Sequence, residues 1–143
     1  MKRLVLILLS GILFSQIIQS CTAKDTSFGG LLIELESNMG WNSVDAVWRE
    51  RRESWLADVR AASTTAEKAT LMIEFETYVL WTAVNPAWED ERARWINNCT
   101  AANNDKELGV CLMKFESFVL WDVVSSNWKD RRDGWIKDCE KLQ

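Results

Sequence analysis

Three repeated glutamates, four cysteines and nine tryptophans are the residues of this 143-residue sequence whose types and spacing bear most on chemistry. Histidine is absent, which removes Ser-His-Asp and Cys-His catalysis, imidazole general bases and every zinc site that needs an imidazole. Glu36, Glu76 and Glu116 stand 40 residues apart, and Arg52, Arg92 and Arg132 repeat at the same interval. A glycosidase sets two carboxylates about 5–10 Å apart across one sugar. Here three equivalent carboxylates are each matched to an arginine, so they read as structural ion pairs. The chain is therefore expected not to be an enzyme, and catalysis by the repeated carboxylates stands as the third reading. No cofactor and no metal is expected.

The elements that position these residues follow from an internal repeat. Trp41, Trp81 and Trp121, then Trp48, Trp88 and Trp128, then Trp55, Trp95 and Trp135 account for all nine indoles at an unbroken spacing of 40. Val44, Val84 and Val124 share that offset, as do Leu35, Phe75 and Phe115. Three tandem units near 23–62, 63–102 and 103–143 make up one domain, 21–143. In each unit the stretch ending at the first Trp, such as Leu71 to Trp81, has apolar residues at helical spacing and no breaker. Its start is marked by Asp25 or Thr26, Thr64 or Thr65, and Asn104 or Asp105, all N-cap types. A second helix is expected over about 46–60, 86–100 and 126–140, capped by Asp45, Asn85 and Ser125, with Pro86 at a first helical position. The predicted fold is all-α: three 40-residue helical hairpins, six helices, forming a short solenoid or bundle. The single proline and six glycines disfavour a turn-rich β fold.

Met1-Lys2-Arg3, an apolar run from Leu4 to Ile18, and Ile18-Gln19-Ser20-Cys21 have the three-part form of a secretory signal. The run of about 15 residues is short for a spanning helix, which needs about 20. Ile18-Gln19-Ser20-Cys21 resembles the lipobox of bacterial lipoproteins, although Gln19 departs from the commonest pattern. The resemblance implies cleavage after residues 1–20 and lipidation of Cys21. It places the protein in the cell envelope, held to the membrane by a lipid anchor, at the outer membrane if the cell is Gram-negative; without the lipid it would be secreted. Cleavage removes Lys2 and Arg3 and leaves 15 of the 17 basic residues against 21 acidic ones, a net charge of −6. Nucleic acid is a poor partner for such a chain.

A 40-residue two-helix unit resembles the size class of the short α-solenoids. Trp88 to Trp95 resembles, over about eight residues, a helical motif of eukaryotic chromatin-remodelling subunits that touches linker DNA; the acidic, exported chain opposes that function and nothing is carried over.

Antiparallel helices around a turn near residue 44 bring together residues equidistant from it. Glu36 then faces Arg52, Glu76 faces Arg92 and Glu116 faces Arg132, while Ile33, Ile73 and Met113 fall opposite Trp55, Trp95 and Trp135. The same mirror about Asp105 brings Cys99 to Cys111, where the preceding unit has Val59 and Leu71. In an oxidising compartment the pair is expected to form a disulfide. Cys139 has no following unit to pair with, so it is expected to stay buried and free or to link two chains as a dimer. Core packing is the first reading of the indoles. A repeat does not easily hide three of them, so at least one of each three is expected to be partly exposed. The leading function is a protein-binding or scaffolding module of the envelope. The alternative is a glycan- or peptidoglycan-binding module using exposed Trp.

Overall fold

The computed structural model describes residues 23–143; the expected signal segment, 1–20, and the expected lipidation site, Cys21, lie outside the described residues. Six helices follow in order: α1 Phe28–Asn38, α2 Trp48–Ala61, α3 Thr65–Tyr78, α4 Trp88–Ala101, α5 Asp105–Glu116 and α6 Ser126–Glu140. They pair as the hairpins α1–α2, α3–α4 and α5–α6, one per unit. Ser27, rather than Asp25 or Thr26, caps α1: its hydroxyl accepts from Gly30 N–H, while the Asp25 carboxylate accepts the Ser27 N–H. Thr64 and Glu67 form a reciprocal capping box at α3, and the Asn104 side chain accepts from Glu107 N–H at α5.

The second helices of the first two units begin later than the sequence suggests. Asp45 and Asn85 bend their own chain, accepting the N–H groups of Val47 and Ala87, and these Asx turns delay regular helix to Trp48 and Trp88. Ser125 does precede α6, but its hydroxyl donates to Asn38 Oδ1 instead of capping.

Of the two arrangements the sequence leaves open, a solenoid or a bundle, the contacts are those of a closed bundle. Helices α1, α3 and α5 touch one another, while α2, α4 and α6 each pack against two of them, and α6 reaches back to α1. At the centre Leu35, Phe75 and Phe115 are fully buried. Each second helix seals the seam to the next unit with an indole: Trp55 Nε1 donates to Leu71 O (2.9 Å), Trp95 to Cys111 O (2.7 Å) and Trp135 to Leu31 O (2.9 Å). By distance from the turn alone, these indoles fall against the first helix of their own hairpin. Their N–H groups point instead to the neighbouring unit, because the flank of the hairpin, not its interior, is what remains to be covered.

The loops repeat the cycle. Isolated antiparallel bridges join Val44 to Val79, Val84 to Val119 and Val124 to Met39. Arg51 pairs with Glu74 at 2.6 Å, Glu91 with Lys114 at 3.7 Å and Arg131 with Glu34 at 2.6 Å. In the middle seam both signs are reversed, so each contact remains between opposite charges. Lys24 adds a clasp across the closing seam, to Asp138 (2.7 Å) and Glu34 (3.3 Å).

In a closed ring all three seam indoles have equal standing. Trp55→Ala, Trp95→Ala and Trp135→Ala are each expected to cost about 3–5 kcal/mol in urea unfolding of the chain. An open array would spare Trp135, and a much smaller loss there than at Trp95 would show that the ring is not closed in solution.

Candidate functional site: three exposed tryptophans at one pole

Each hairpin closes over a carboxylate that is only 5% exposed. Glu36 Oε1 accepts from Trp48 Nε1 (3.0 Å) and Arg52 Nε (2.6 Å), and its Oε2 from Arg52 Nη2 (2.8 Å). Glu76 is held likewise by Trp88 (2.9 Å) and Arg92 (2.7 and 2.8 Å), and Glu116 by Trp128 (3.1 Å) and Arg132 (2.6 and 2.8 Å). The forked guanidinium matches the carboxylate, and the hydrogen bond to its glutamate raises the pKa of Arg52, Arg92 and Arg132 further. Among the described residues no buried side-chain polar atom lacks a partner. The indole N–H was the missing member in the sequence reading. Its signal was the Trp-x3-Arg spacing, kept in every unit and placing both groups on one helical face.

Six of the nine indoles are buried, and the remaining three are the first of each unit: Trp41 is 50% exposed, Trp81 58% and Trp121 50%. All three sit in the loops between the paired helices, Trp41 and Trp81 each opening a 3-10 turn, Trp41–Ser43 and Trp81–Ala83. These loops are at one pole of the bundle; the connections 62–64 and 102–104, and the start of α1, are at the other. Beneath Trp41 lies a cleft of about 160 Å³ lined by Glu36, Met39, Val44, Trp48 and Arg52. Its equivalent beneath Trp81, about 210 Å³, is lined by Glu76, Thr77, Val79, Val84 and Arg92. A wider groove of about 510 Å³ runs along Asp58, Ala61, Ala62, Ala66, Glu67 and Thr70 at the opposite pole, with no aromatic residue in its lining.

The surroundings of the three exposed rings differ. Arg49 and Arg52 stand 5.3 and 5.8 Å from the Trp41 centroid, and Lys129 and Arg132 stand 5.9 and 5.7 Å from that of Trp121. Trp81 has no cation over it among the described residues, and the position of Arg49 and Lys129 is taken there by Glu89.

The expected Cys99–Cys111 disulfide is not formed in this structure, where Cys99, Cys111 and Cys139 are free thiols. Helices α4 and α5 nevertheless bring the buried Cys99 and Cys111 side by side, and the neighbouring Cys111 thiol together with burial pushes the Cys99 thiol well above its ordinary range. Cys139 does have a further unit beside it, because α6 packs on α1. The unit after the third is the first, and at the Cys111 offset it carries the buried Leu31. Burial pushes the Cys139 thiol up to about 12. At 1% exposure it reaches a second chain only if α6 leaves α1. No group of three or more Cys, Asp or Glu suited to a metal occurs among the described residues.

Residues 30–79 match a domain of unknown function, DUF8799. The segment runs from α1 to the end of α3 and so contains one complete set of repeated contacts: the carboxylate knot of Glu36, the Trp55 seam and the Val44–Val79 bridge. No curated protein and no solved structure matches the chain.

The knot and the surface charges should separate in a stability measurement. Arg92→Ala strands the buried Glu76 and is expected to cost about 3 kcal/mol, whereas Arg94, 71% exposed and paired only with Glu91 on its own helix, should cost less than about 1 kcal/mol. Equal shifts in Tm for the two variants would remove the knot as a source of stability.

Proposed function

We propose that this chain is an exported, membrane-anchored helical-repeat protein that binds another protein in the cell envelope through the pole carrying Trp41, Trp81 and Trp121. One observation carries the reading. The half-exposed Trp is kept in all three copies, as are the buried indoles of the knot and the seam, while the fully buried position 35, 75 and 115 drifts between Leu and Phe. Core packing tolerates that drift, and burial alone gives no reason to hold a large indole at a position half open to water. Aromatic residues exposed in this way are what protein interfaces use as anchors.

Polarity supports the same reading. Lys24 lies at the pole opposite the Trp loops, and α1, with 11 residues, separates the two by about 16 Å. An anchor on Cys21 would therefore hold the Trp pole away from the bilayer. A glycan is the second reading, favoured by the polar clefts beneath Trp41 and Trp81. Catalysis by Glu36, Glu76 and Glu116 has less support, since each is already held by an arginine and an indole.

Photo-crosslinking tests the proposal. With a benzophenone side chain at Asn42, Thr82 or Asp122, the cells should give a discrete protein adduct in the membrane fraction, lost when Trp41, Trp81 and Trp121 are all changed to Ser. The same probe at Ala61 or Ala101, at the opposite pole, should give none. Adducts at both poles alike, none at either, or glycan in place of protein would overturn the reading.

Export carries a second consequence. In an oxidising compartment Cys99 and Cys111 are each expected to give up a proton and an electron to a disulfide donor of the envelope, which is reduced to its dithiol as the S–S bond forms. The short loop closed in this way should add about 2–3 kcal/mol. Non-reducing peptide mapping of exported protein should recover a peptide pair joined through Cys99 and Cys111, with Cys139 alkylatable after unfolding; two free thiols at 99 and 111 would exclude the bond.

A further inference from the structure

The three exposed indoles occupy equivalent places, and two of them already show what such a ring takes. Over Trp41 stands Arg49, and over Trp121 stands Lys129, at the same offset in the first turn of the following helix. A cation near an aromatic face is attracted by the ring quadrupole, so the first and third units satisfy their indoles from within. In the second unit the offset carries Glu89, an exposed residue with no ion-pair partner among the described residues. Trp81 is also the most exposed indole, and it is continued by Leu80, itself 36% exposed.

We propose that the Trp81 cleft is the working contact of the binding pole, and that its occupant is a basic side chain, Arg or Lys, on a segment of the partner protein. The inference rests on the protein-binding reading and names the chemistry of the partner. Glu89 is shorter than the Arg49 and Lys129 side chains it replaces, so it does not span the indole as they do. An incoming guanidinium or ammonium then takes the place of the internal cation, lying against the Trp81 ring with the Glu89 carboxylate as its counter-charge. Carriers of the cation are steered towards the site by the net charge of −6 on the chain after cleavage. The partner's neighbouring apolar side chains meet Leu80 and Val79 at the rim of the cleft.

The test follows the indole N–H resonances of the full chain during titration with a blocked peptide of alternating glycine and arginine. The Trp81 resonance should shift and saturate at a concentration lower by about fivefold or more than any response of Trp41 or Trp121, and a glutamine-for-arginine peptide should bind at least about fivefold more weakly. Glu89→Arg supplies the internal cation and should abolish the Trp81 response. Arg49→Glu leaves Arg52, held by Glu36, as the one cation near Trp41 and should make Trp41 respond more strongly than in the parent chain. Unchanged resonances of the six buried indoles show that each variant is folded. An equal response at all three rings, equal binding of the glutamine peptide, or no effect of Glu89→Arg would overturn the proposal. Crosslinks at Thr82 that persist alongside such a result would leave the protein-binding reading standing and remove only the basic partner; loss of crosslinks from the whole pole would remove both.

Discussion

A helical hairpin has two flanks, and three hairpins in a row leave one flank bare at each end unless the last folds back on the first. That constraint organises this molecule. Its three inner helices meet at Leu35, Phe75 and Phe115, and each outer helix covers the groove between two of them. Trp135 on Leu31 therefore does for the ends what Trp55 and Trp95 do within the chain. A small helical domain gains from this closure because it has no terminal units needing a polar cap, as open repeat arrays do.

Within each hairpin a second constraint acts on buried charge. Each unit places a carboxylate between its two helices, where an unpaired anion would be strongly destabilising. The arginine and the indole at Trp-x3-Arg spacing supply both the counter-charge and the remaining hydrogen bond. The knot fixes how far one helix slides along the other, and with that register the loops meet as antiparallel bridges in all three seams. The seams are not identical. Trp48 packs on Phe75 and Tyr78, and Trp88 on Phe115 and Phe118, whereas the closing seam has Leu35 and Asn38 at those offsets and adds the Ser125–Asn38 hydrogen bond and the Lys24 clasp. A polar set of contacts thus replaces an aromatic one where the chain's two ends meet.

The same frame accounts for the surface proposed to bind. Loops that must pair with one another are held at one pole, and the first Trp of each unit lies within them, over the carboxylate knot but outside the seam. The repeat fixes three equivalent indoles there, and local charge then makes them unequal: Arg49 and Lys129 stand over two of them, while Glu89 leaves the third open. Divergence among copies inside a symmetric scaffold is a simple way to give one of several equal positions a separate role.

Much of this was legible in the residues. Spacing alone fixed the three units, the six helices, the pairing of Glu36 with Arg52 and the approach of Cys99 to Cys111, because periodicity and distance from a turn are local properties of a chain. The reversed charges also recorded the ring: Arg51 with Glu74, Glu91 with Lys114, and Arg131 with Glu34 leave every charge matched only if the third unit returns to the first. What the sequence could not decide was which way each indole faces. Trp41, Trp48 and Trp55 are the same residue at spacings that suit one helical stripe, yet one is half exposed, one bonds a buried carboxylate and one spans a seam. The difference lies in the 3-10 turn that lifts Trp41 off the helix, and in the neighbouring hairpin that covers the other two. Both are consequences of three units closing on one another in space.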